Sequence, residues 1–420
     1  MTPEIKQRIK QIRRGEVPVG YIKTASGVAP ANWTRYTFGD IYTERKEPGS
    51  EDLPFLMVSI HSGVSDGEVD EEELPKKVKR IKDKSQYKKA ASGDLVFNMM
   101  RAWQGAIGTV RTTGMVSPAY IVAQPNDKVH PLFMDYYTKT PRMIHQIDRQ
   151  SYGVTDFRKR LYWDSFAPIS CTLPPIEEQQ KIADILTTEN KVIELKEKRL
   201  AEKQRQKKYL MQQLLTGKKR LPGFSGEWGK ERLGNCVSMC SGGTPDTKNE
   251  RYYGSDYIWI SIKDMTSAGK YICSSERGLT EEGFLNCSAK LFPKGTILFA
   301  MYASIGECSI AEIECCSSQA ILGIEPDSKL NNEFLYYFLS NAKEHFKSFG
   351  QASSQPNLNK DIVQSIVVQL PKFEEQTAIA EVLSTADREI DLLRQDIEQE
   401  KQKKKALMQL LLTGIVRVTV

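Results

Sequence analysis

The chain has 420 residues, more than one ordinary domain holds, so we expect two or three domains. Its 40% hydrophobic and 27% charged residues are typical of a folded globular protein and exclude a wholly disordered chain. The formal net charge of +6 is compatible with a nucleic-acid partner but does not require one.

The N-terminal segment, residues 1–29, is charged from Met1 to Arg14 and lacks the apolar run of a secretory signal. No stretch of the chain approaches the roughly 18 apolar residues of a membrane span, so we expect a cytoplasmic protein without a membrane partner. Ile12–Gly15 echoes Leu215–Gly217 further along the chain. This echo predicts a short helix over residues 1–15 that completes a cyclic repeat.

The first globular block, residues 30–172, mixes strand and helix patterns. Runs of β-branched and aromatic residues predict strands at Phe55–Ile60, Leu95–Met100 and Ile121–Ala123. A short helix is expected at Pro131–Thr138.

The central segment, residues 173–220, predicts one long helix. Pro174 and Pro175 mark its start, Gly217 marks its end, and Glu177 and Glu178 fall in the first turn, where the helix dipole favours acids. Its apolar residues keep the 4-3 spacing of a coiled-coil seam: Ile182, Leu186, Ile193, Leu200, Leu210 and Leu214. Charged residues occupy other positions of the same frame: Glu189, Lys196, Lys203 and Lys207.

The second globular block, residues 221–369, also mixes strands and helices. Strands are expected at Tyr257–Ile262, Thr296–Met301 and Ala320–Ile324, and a helix at Asn332–Ser340. Seven of the eight cysteines lie in this block, without the closely paired C-x2-C spacing that zinc prefers. We therefore expect reduced, mostly buried thiols and no metal site.

The C-terminal segment, residues 370–420, repeats the central one. Leu370–Gly414 aligns with Leu173–Gly217 without a gap at an offset of 197 residues, with 20 identities over 45 positions. Its 4-3 seam consists of Ile379, Leu383, Ile390, Leu393, Ile397, Leu407 and Leu411. The order block, helix, block, helix therefore indicates an internal repeat and an α+β fold.

The simplest partner for each long helix is the other one. About 39 residues at roughly 1.5 Å each give a rod of roughly 58 Å. Two equivalent block-plus-helix units pack most economically about a pseudo-twofold axis, which predicts an antiparallel pair. The alternative is that each helix packs on its own globular block.

Motifs of the common catalytic sites are missing from the sequence. It lacks the phosphate loop G-x-x-x-x-G-K-[ST], a G-x-G-x-x-G after a strand, the zinc-protease H-E-x-x-H and the hydrolase G-x-S-x-G. Two lobes, two long helices and no catalytic set favour a binding module over an enzyme.

Several motifs resemble those of the specificity subunit of type I restriction–modification systems. The central segment opens with L-P-P-I-E-E-Q and closes with L-L-T-G, as in that family. Ser241–Pro245, followed by Tyr253 and Trp259–Lys263, resembles the start of many target recognition domains. Gly153–Trp163 resembles the end of another common type, and Gln351–Lys360 is its counterpart in the second block. The resemblance covers nearly the whole chain.

The resemblance implies a subunit without catalytic activity of its own. Residues 30–172 and 221–369 would each be a target recognition domain that reads one half of a split, asymmetric DNA sequence. The two helices would form an antiparallel coiled coil that spaces these domains and docks two methyltransferase subunits. S-adenosylmethionine, ATP and magnesium would bind to the methyltransferase and motor–nuclease subunits of the full complex, and no cofactor to this chain.

Candidate DNA contacts in the first block lie in two loops. Arg101, Trp103 and Gln104 directly follow a predicted strand. Arginine reads guanine and glutamine reads adenine in the major groove, although a surface turn with a packed Trp103 is the alternative. A basic loop is better suited to phosphates than to bases: Tyr152, Arg158, Lys159 and Arg160.

Candidate contacts in the second block are more dispersed. Four residues form a glycine-rich loop: Ser241, Gly242, Gly243 and Thr244. Such a loop is able to approach a phosphate closely, and the alternative is an ordinary turn. Lys263 ends a predicted strand, and Tyr302 and Ser304 follow another predicted strand in the position equivalent to Arg101. A polar loop rich in amides suits adenine edges: Gln351, Ser353, Ser354, Gln355, Asn357, Asn359 and Lys360.

A second hypothesis is a coiled-coil scaffold whose two lobes bind proteins rather than DNA. Salt-insensitive or undetectable DNA binding would favour this scaffold, because phosphate contacts make DNA binding depend on salt. The bases that the chain reads do not follow from side-chain identity, since base readout depends on docking geometry.

Overall fold

The computed structural model describes residues 2–24, 27–60, 63–65, 83–155, 158–346 and 358–418. The chain divides into two compact units. Unit 1 combines Met1–Lys196 with Asp396–Val420, and unit 2 is the continuous stretch Glu197–Gln395. Each unit therefore contains one globular block and a part of both long helices.

Two long helices of 39 residues each carry the repeated segments. We call Ile176–Leu214 the central helix and Phe373–Leu411 the C-terminal helix. Each is followed by a glycine in the left-handed region, Gly217 with φ 67° and Gly414 with φ 71°, where other residues are strained. All thirteen predicted seam residues are buried or half-buried, so the 4-3 frame faces away from solvent on each helix.

Ion pairs connect the two long helices within each unit. In unit 1 they join Lys196 to Asp396 at 2.8 Å, Lys196 to Glu400 at 3.0 Å and Glu189 to Lys403 at 3.1 Å. In unit 2 they join Lys203 to Glu389 at 2.6 Å and Lys207 to Asp387. In both units, rising residue numbers on the central helix meet falling numbers on the C-terminal helix.

The globular part of unit 1 is built on a four-stranded antiparallel sheet. Its strand order is Tyr42–Glu44, Tyr120–Pro125, Leu95–Asn98 and Ile107–Thr109. Shorter pairs are Tyr21–Thr24 with Gly27–Pro30, Thr34–Thr37 with Ser170–Leu173, Val58–Ser59 with Gly63–Val64, and Lys88–Ala90 with Gly114–Val116. The shorter helices are Pro3–Arg13, Phe38–Ile41, Pro131–Tyr137, Pro141–Gln150 and Trp163–Phe166.

The globular part of unit 2 has a five-stranded sheet and a smaller second sheet. The five strands follow the order Val237–Ser241, Ile321–Pro326, Ile297–Ala300, Cys308–Ala311 and Tyr271–Ile272, the last pair being parallel. The second sheet contains Tyr253–Gly254, Gly278–Leu279, Tyr257–Ile260 and Cys316–Ser317, and Gly229–Arg232 pairs with Val367–Leu370. The shorter helices are Ile262–Ala268, Glu281–Leu285, Asn332–Asn341 and Lys360–Ser365.

The mixed helix and sheet content confirms the predicted α+β class, whereas the predicted strand ends were wrong by up to two residues, and by more at Phe55–Ile60. Only Val58–Ser59 of the predicted strand Phe55–Ile60 is paired as a strand. The strand predicted to reach Ile262 ends at Ile260, because Ser261 caps the helix that follows. The Ser261 hydroxyl accepts from the Asp264 amide, and the Asp264 carboxylate accepts from the Ser261 amide.

A buried carboxylate at the start of each long helix fixes that helix to its globular block. In unit 1, Arg417 donates two hydrogen bonds of 2.7 Å to Glu178, and the Trp33 indole donates a third at 3.3 Å. Glu178 is almost fully buried, so these donors replace the water that the charge has lost. We call this set the unit 1 junction.

Unit 2 repeats the same arrangement with the residues one repeat away. Arg220 donates bonds of 2.6 and 2.7 Å to Glu375, and the Trp228 indole donates at 3.2 Å. We call this set the unit 2 junction. Because Arg220 and Arg417 are 197 residues apart, like Glu178 and Glu375, the two junctions follow the sequence repeat.

The glutamine after each buried glutamate holds a turn of the block. In unit 1, Gln179 accepts from the His130 amide at 2.9 Å and donates to the Lys128 carbonyl at 3.0 Å. In unit 2, Gln376 makes the same two bonds, with the Asn331 amide at 2.8 Å and the Lys329 carbonyl at 2.9 Å. The repeated E-E-Q motif is therefore explained by packing and hydrogen bonding at the helix start.

The two ends of the chain meet in unit 1. The predicted N-terminal helix is present as Pro3–Arg13. Arg8 donates to the Ile415 carbonyl at 2.9 Å, and the Tyr21 hydroxyl donates to the Gly414 carbonyl at 2.7 Å.

Both units bury apolar residues of both long helices in their cores. The core of unit 1 includes Ile182, Leu186 and Leu411, and that of unit 2 includes Leu214, Ile379 and Leu383. Each helix thus packs at its two ends on different globular blocks, and not on its own block alone as in the alternative prediction, while ion pairs join the helices to each other. None of the helices among the described residues is long and apolar enough to cross a membrane.

All eight cysteines are free, and five of them are buried. Burial raises the pKa of Cys315 and of Cys316 to about 12, which keeps both thiols protonated and unreactive at neutral pH. Within the described part of the chain, no group of three or more His, Cys, Asp and Glu residues is placed to hold a metal ion.

Candidate nucleic-acid interface

The first candidate loop is a tight turn at one end of the central sheet of unit 1. It follows the strand Leu95–Asn98 and contains the short 3-10 helix Ala102–Gln104, which ends at Gly105 in the left-handed region. The Trp103 indole donates to the Met100 carbonyl at 3.0 Å. Arg101 and Gln104 are exposed and Trp103 is half-buried, so the turn presents a guanidinium and an amide to solvent.

The basic loop of the first block lies beside this turn. The Leu161 amide donates to the Met99 carbonyl at 2.8 Å, which joins the two segments. Tyr152 and Arg160 form an antiparallel bridge at the base of the loop. The Lys159 ammonium lies 4.9 Å from the centre of the Trp103 ring and pairs with Asp148 at 2.8 Å.

The two predicted groups of the first block therefore form one surface. Arg101, Trp103, Gln104, Tyr152, Lys159 and Arg160 belong to it, together with exposed Arg158. A cation over an aromatic ring, flanked by further cations, is an arrangement able to contact phosphates and the faces or edges of bases.

Exposed apolar side chains of the same surface were missed in the sequence. Tyr162 packs beside Tyr152 with the two rings tilted and their centres 5.7 Å apart, and both residues are about half exposed. Val154 is 90% exposed and Met100 is 40% exposed. Tyr162 and Val154 both lie within the motif Gly153–Trp163, so their positions in that motif were the available signal.

The second block places its equivalent loop in the same way. Tyr302 and Ser304 follow the strand Ile297–Ala300, and Ala303 between them adopts a positive φ of 53°. The Leu358 amide donates to the Met301 carbonyl at 3.2 Å, which repeats the link between Leu161 and Met99. Tyr302 is exposed, so an aromatic side chain occupies the region where the first block has Arg101.

The glycine-rich loop of the second block is required by packing. A Cβ on Gly242 would lie 2.2 Å from the Ser317 carbonyl oxygen, and one on Gly243 would lie 2.2 Å from the Ala289 amide nitrogen. Both glycines are buried, and the Gly243 carbonyl accepts from the Trp259 indole at 2.9 Å. Ser241 and Thr244 are the more exposed members of the loop, for which DNA contact stays a prediction.

Lys263 lies in the first turn of the helix Ile262–Ala268, not at the end of a strand as predicted. Its exposed ammonium pairs with Glu276 at 2.5 Å, and this hydrogen bond raises the lysine pKa. The Ser318 amide donates to the Ile260 carbonyl, so this helix start lies beside the segment that also holds Gly243.

The candidate loops of the second block gather around residues 317–320. Gly243 bonds to Ser317, Ile260 to Ser318, and Met301 to Ala320. Strand register agrees, because Ser241 pairs with Leu322 and Ala300 with Ile321 on the two sides of one strand. The loops thus leave the same end of the central sheet.

The amide-rich loop falls mostly outside the described residues. Gln351, Ser353, Ser354, Gln355 and Asn357 belong to the part that the structure does not describe. Asn359 caps the helix Lys360–Ser365 by accepting from the Ile362 amide at 2.9 Å, and Lys360 is exposed beside it.

Comparison with known sequences identifies relatives along most of the chain. The family described as "Type I restriction modification DNA specificity domain" matches residues 40–204 and 225–402. The MjaIX specificity subunit of Methanocaldococcus jannaschii is 32% identical over 187 residues, which cover 44% of this chain and 43% of that protein. The MjaVIII specificity subunit of the same organism is 27% identical over 330 residues, covering 73% and 75%.

Solved structures show a similar fold. The HsdS subunit of Thermoanaerobacter tengcongensis matches 92% of this chain and 98% of its own with a TM-score of 0.52 and 19% identity. The S subunit of a type I restriction–modification system from M. genitalium covers 90% and 96%, with a TM-score of 0.57 and 13% identity.

Proposed function

Because the chain belongs to the type I restriction–modification DNA specificity family, we propose that it reads a split, asymmetric DNA sequence with one half-site per globular block. It does so without catalysis of its own, as the sequence-reading part of a larger enzyme that works on DNA in the cytoplasm. The observation that carries this proposal is that corresponding loops leave the same end of the central sheet in both blocks.

Different side chains at corresponding positions support two different half-sites. The turn of the first block offers Arg101 and Gln104, whereas that of the second offers Tyr302 and Ser304. Bidentate arginine and glutamine contacts distinguish guanine and adenine, but a tyrosine or serine makes other contacts. A target read by these two surfaces is therefore asymmetric.

The long helices are well suited to space the half-sites as an antiparallel coiled coil. The residues of their 4-3 pattern are buried or half-buried. Their ion pairs join rising residue numbers on the central helix to falling numbers on the C-terminal helix, as in an antiparallel pair. The repeated junctions fix each block to the start of a helix, which supports the pseudo-twofold arrangement expected from the repeat. A change in helix length would then change the distance between the half-sites.

Two equivalent exposed leucines mark candidate docking positions for two methyltransferase subunits. Leu195 is 65% exposed on the central helix, and Leu392 is 64% exposed on the C-terminal helix. The two residues are separated by the repeat length of 197 residues, so two copies of one partner would each contact an equivalent leucine. S-adenosylmethionine would bind in those partners, and ATP with magnesium in motor–nuclease subunits.

Exchange of the recognition blocks tests the reading of half-sites. Residues 30–172 or 221–369 of the chain are replaced by those of a relative, and methylated sites are mapped with the assembled methyltransferase. Each exchange is expected to change one half-site and leave the other. Unchanged half-sites in both exchanges, or DNA binding that does not respond to salt, would favour the protein-binding scaffold instead.

Removal of one heptad from both helices tests the spacing. The preferred gap between half-sites is expected to change while the bases read at each half-site stay the same. An unchanged gap contradicts the role of the helices as a spacer, even if the blocks read DNA.

Charge at the exposed leucines tests the docking. L195E and L392E are each expected to reduce the number of bound methyltransferase subunits from two to one, as measured by native mass spectrometry. Q204E and Q399E add the same charge at other exposed positions of the two helices and serve as controls. Two bound subunits in the double variant L195E/L392E would place the docking surface elsewhere.

A further inference from the structure

The charges on the facing sides of the two long helices are unevenly distributed. The central helix contributes the cations Lys196, Lys203 and Lys207, whose side chains are 23–30% exposed. The C-terminal helix contributes their acidic partners, Asp387, Glu389, Asp396 and Glu400. The pair of Glu189 with Lys403 has the opposite sense.

The sequence repeat predicts which residues would meet if two copies of one long helix packed in the way that the two different helices do. A contact between the central and the C-terminal helix becomes a contact between two central helices when its second residue is replaced by the one 197 positions earlier. Because both helices are 39 residues long and align without a gap, this replacement needs no adjustment of register.

Two central helices would lose every one of these ion pairs. The partners of Lys196, which are Asp396 and Glu400, correspond to Arg199 and Lys203, so cation would face cation. Lys203 would face Val192, Lys207 would face Asn190, and Glu189 would face Gln206. The symmetry of such a pair would make each repulsive contact occur twice.

Two C-terminal helices would also lose most of these ion pairs. The residue equivalent to Lys203 is Glu400, which would face Glu389. The residue equivalent to Lys196 is Leu393, which would leave Asp396 and Glu400 without that cation. Of the native ion pairs, only that of Lys207 with Asp387 has an oppositely charged counterpart, through Lys404.

We infer that these charges act as a pairing code, which selects a central helix against a C-terminal helix and rejects two helices of the same kind. Apolar seams of similar shape on both helices would not make this distinction, because leucine and isoleucine pack against either partner. Half-buried like charges disfavour the wrong pair, whereas opposite charges favour the right one.

This pairing keeps the two different blocks of one chain together and disfavours the joining of two identical blocks from two chains. The code holds whether or not the blocks read DNA, so its test needs no DNA. It uses the full chain, since both units contain parts of both long helices.

Three charge variants of the full chain test the code. Variant A carries E389K, D396K and E400K, which makes both facing surfaces basic. Variant B carries K196E and K203E, which makes both more acidic. Variant C combines all five substitutions and restores opposite charges at these sites.

The matched control for variant A carries E381K, D391K and E398K. These three acids are exposed on the C-terminal helix and change the net charge by the same amount. Thermal unfolding and mass by light scattering are measured for each protein alone and for an equimolar mixture of A and B refolded together.

The code predicts that A and B unfold several degrees below the control, and that C recovers most of the loss. The mixture of A and B is expected to form a species of twice the chain mass. In it, the basic central helix of A pairs with the acidic C-terminal helix of B, and the acidic central helix of B with the basic C-terminal helix of A.

Two results would overturn the inference. One is that A and B unfold with the control and remain monomers when mixed. The other is that C is no more stable than A or B, since the sites would then act by position and not by charge. If A or B alone fails to fold, variant C and the mixture still decide the question.

Discussion

Units 1 and 2 repeat the same sheet order for four strands, but in unit 2 a fifth strand, Tyr271–Ile272, joins in parallel beyond Cys308–Ala311. In the described part of unit 1 the order ends at Ile107–Thr109. The junctions, by contrast, match bond for bond, with a glutamate, an arginine and a tryptophan in each. The attachment of a block to its helix is thus the same in both units, while the edge of the sheet and the loops of the block differ.

A substitution in the glycine-rich loop should destabilise unit 2 and leave unit 1 unchanged. In Gly243→Ala the new Cβ lies 2.2 Å from the Ala289 amide nitrogen, so backbone must move. We expect unit 2 to lose about 3 kcal/mol of stability, the upper end of the overpacking range. Hydrogen exchange measured by mass spectrometry should show faster exchange in the second block and unchanged exchange in the first.

The control for this prediction is Gly229→Ala, whose nearest neighbour lies at an ordinary 3.7 Å. It is expected to leave exchange and thermal stability unchanged. Wild-type stability in Gly243→Ala would mean that the loop yields freely and that its glycines are not required by packing.

The junctions provide a test of equivalence. Glu178→Ala leaves Arg417 and the Trp33 indole without their shared acceptor, for which we expect a loss of about 2 kcal/mol, because Arg417 is partly exposed. Glu375→Ala is expected to cause a comparable loss in unit 2. Local hydrogen exchange should assign each effect to its own unit.

The neighbouring Glu177 and Glu374 are exposed and serve as controls. Their alanine variants should change stability by less than about 0.5 kcal/mol. If Glu178→Ala and Glu375→Ala were as mild as these controls, the junctions would not fix the blocks to the helices.

Substitutions in the candidate DNA-contacting loops should separate the two blocks by the half-site that each reads. With the methyltransferase partners bound, Arg101→Ala is expected to lower affinity for the correct first half-site by about 1–3 kcal/mol, roughly 5- to 150-fold in Kd. Tyr302→Ala should reduce discrimination at the second half-site only. Binding is measured by titration with DNA duplexes altered at one half-site at a time.

Arg111→Ala is the matched control for Arg101→Ala. Arg111 is exposed and follows the strand Ile107–Thr109 at the opposite end of the same sheet. An equal loss of affinity in both arginine variants would point to general charge attraction and away from readout by the turn.

Acid should weaken the ion pairs between the long helices slightly, and separately in each unit. Hydrogen bonds from lysines lower the pKa of Glu400 in unit 1 and of Glu389 in unit 2 below the usual 4.5. Carboxylates with a lowered pKa contribute stability above their unfolded pKa, and this contribution is lost as pH falls through the folded value.

We therefore expect Glu400→Gln and Glu389→Gln to flatten the loss of thermal stability below about pH 4.5, each in its own unit. Unfolding is followed between pH 7 and pH 3 in low salt, where the ion pairs are least screened. Identical acid profiles for wild type and both variants would rule out a stabilising role of these pairs.

The long helices were predictable because their signal is local. A 4-3 pattern over 39 residues, prolines before it and glycines after it leave few other conformations. The helix start at Ser261 was equally local, since Ser261 and Asp264 form a capping box, but the preceding apolar run was mistaken for a longer strand. The two-residue strand Tyr271–Ile272 is too short for any periodicity to reveal it.

The candidate site was predictable in its parts but not in its assembly. Sequence order predicts the turn at Arg101 and the basic loop at Arg160, but their contact depends on a hydrogen bond from Leu161 to Met99, 62 residues earlier. The role of Gly243 likewise depends on Ala289 and Trp259, which are distant in sequence. Such close approaches follow from tertiary packing, which composition and spacing do not encode.

The division of the chain also has a consequence for its synthesis. Unit 2 is one continuous stretch, whereas unit 1 needs Asp396–Val420 to supply Arg417 to Glu178 and Leu411 to its core. During translation the block that emerges first must wait for the last residues before its junction closes. The block made second can complete its own junction from Arg220 and Glu375 before unit 1 receives Arg417, so a chain that lacked residues 396–420 would contain an unfinished first block and a second block with a closed junction.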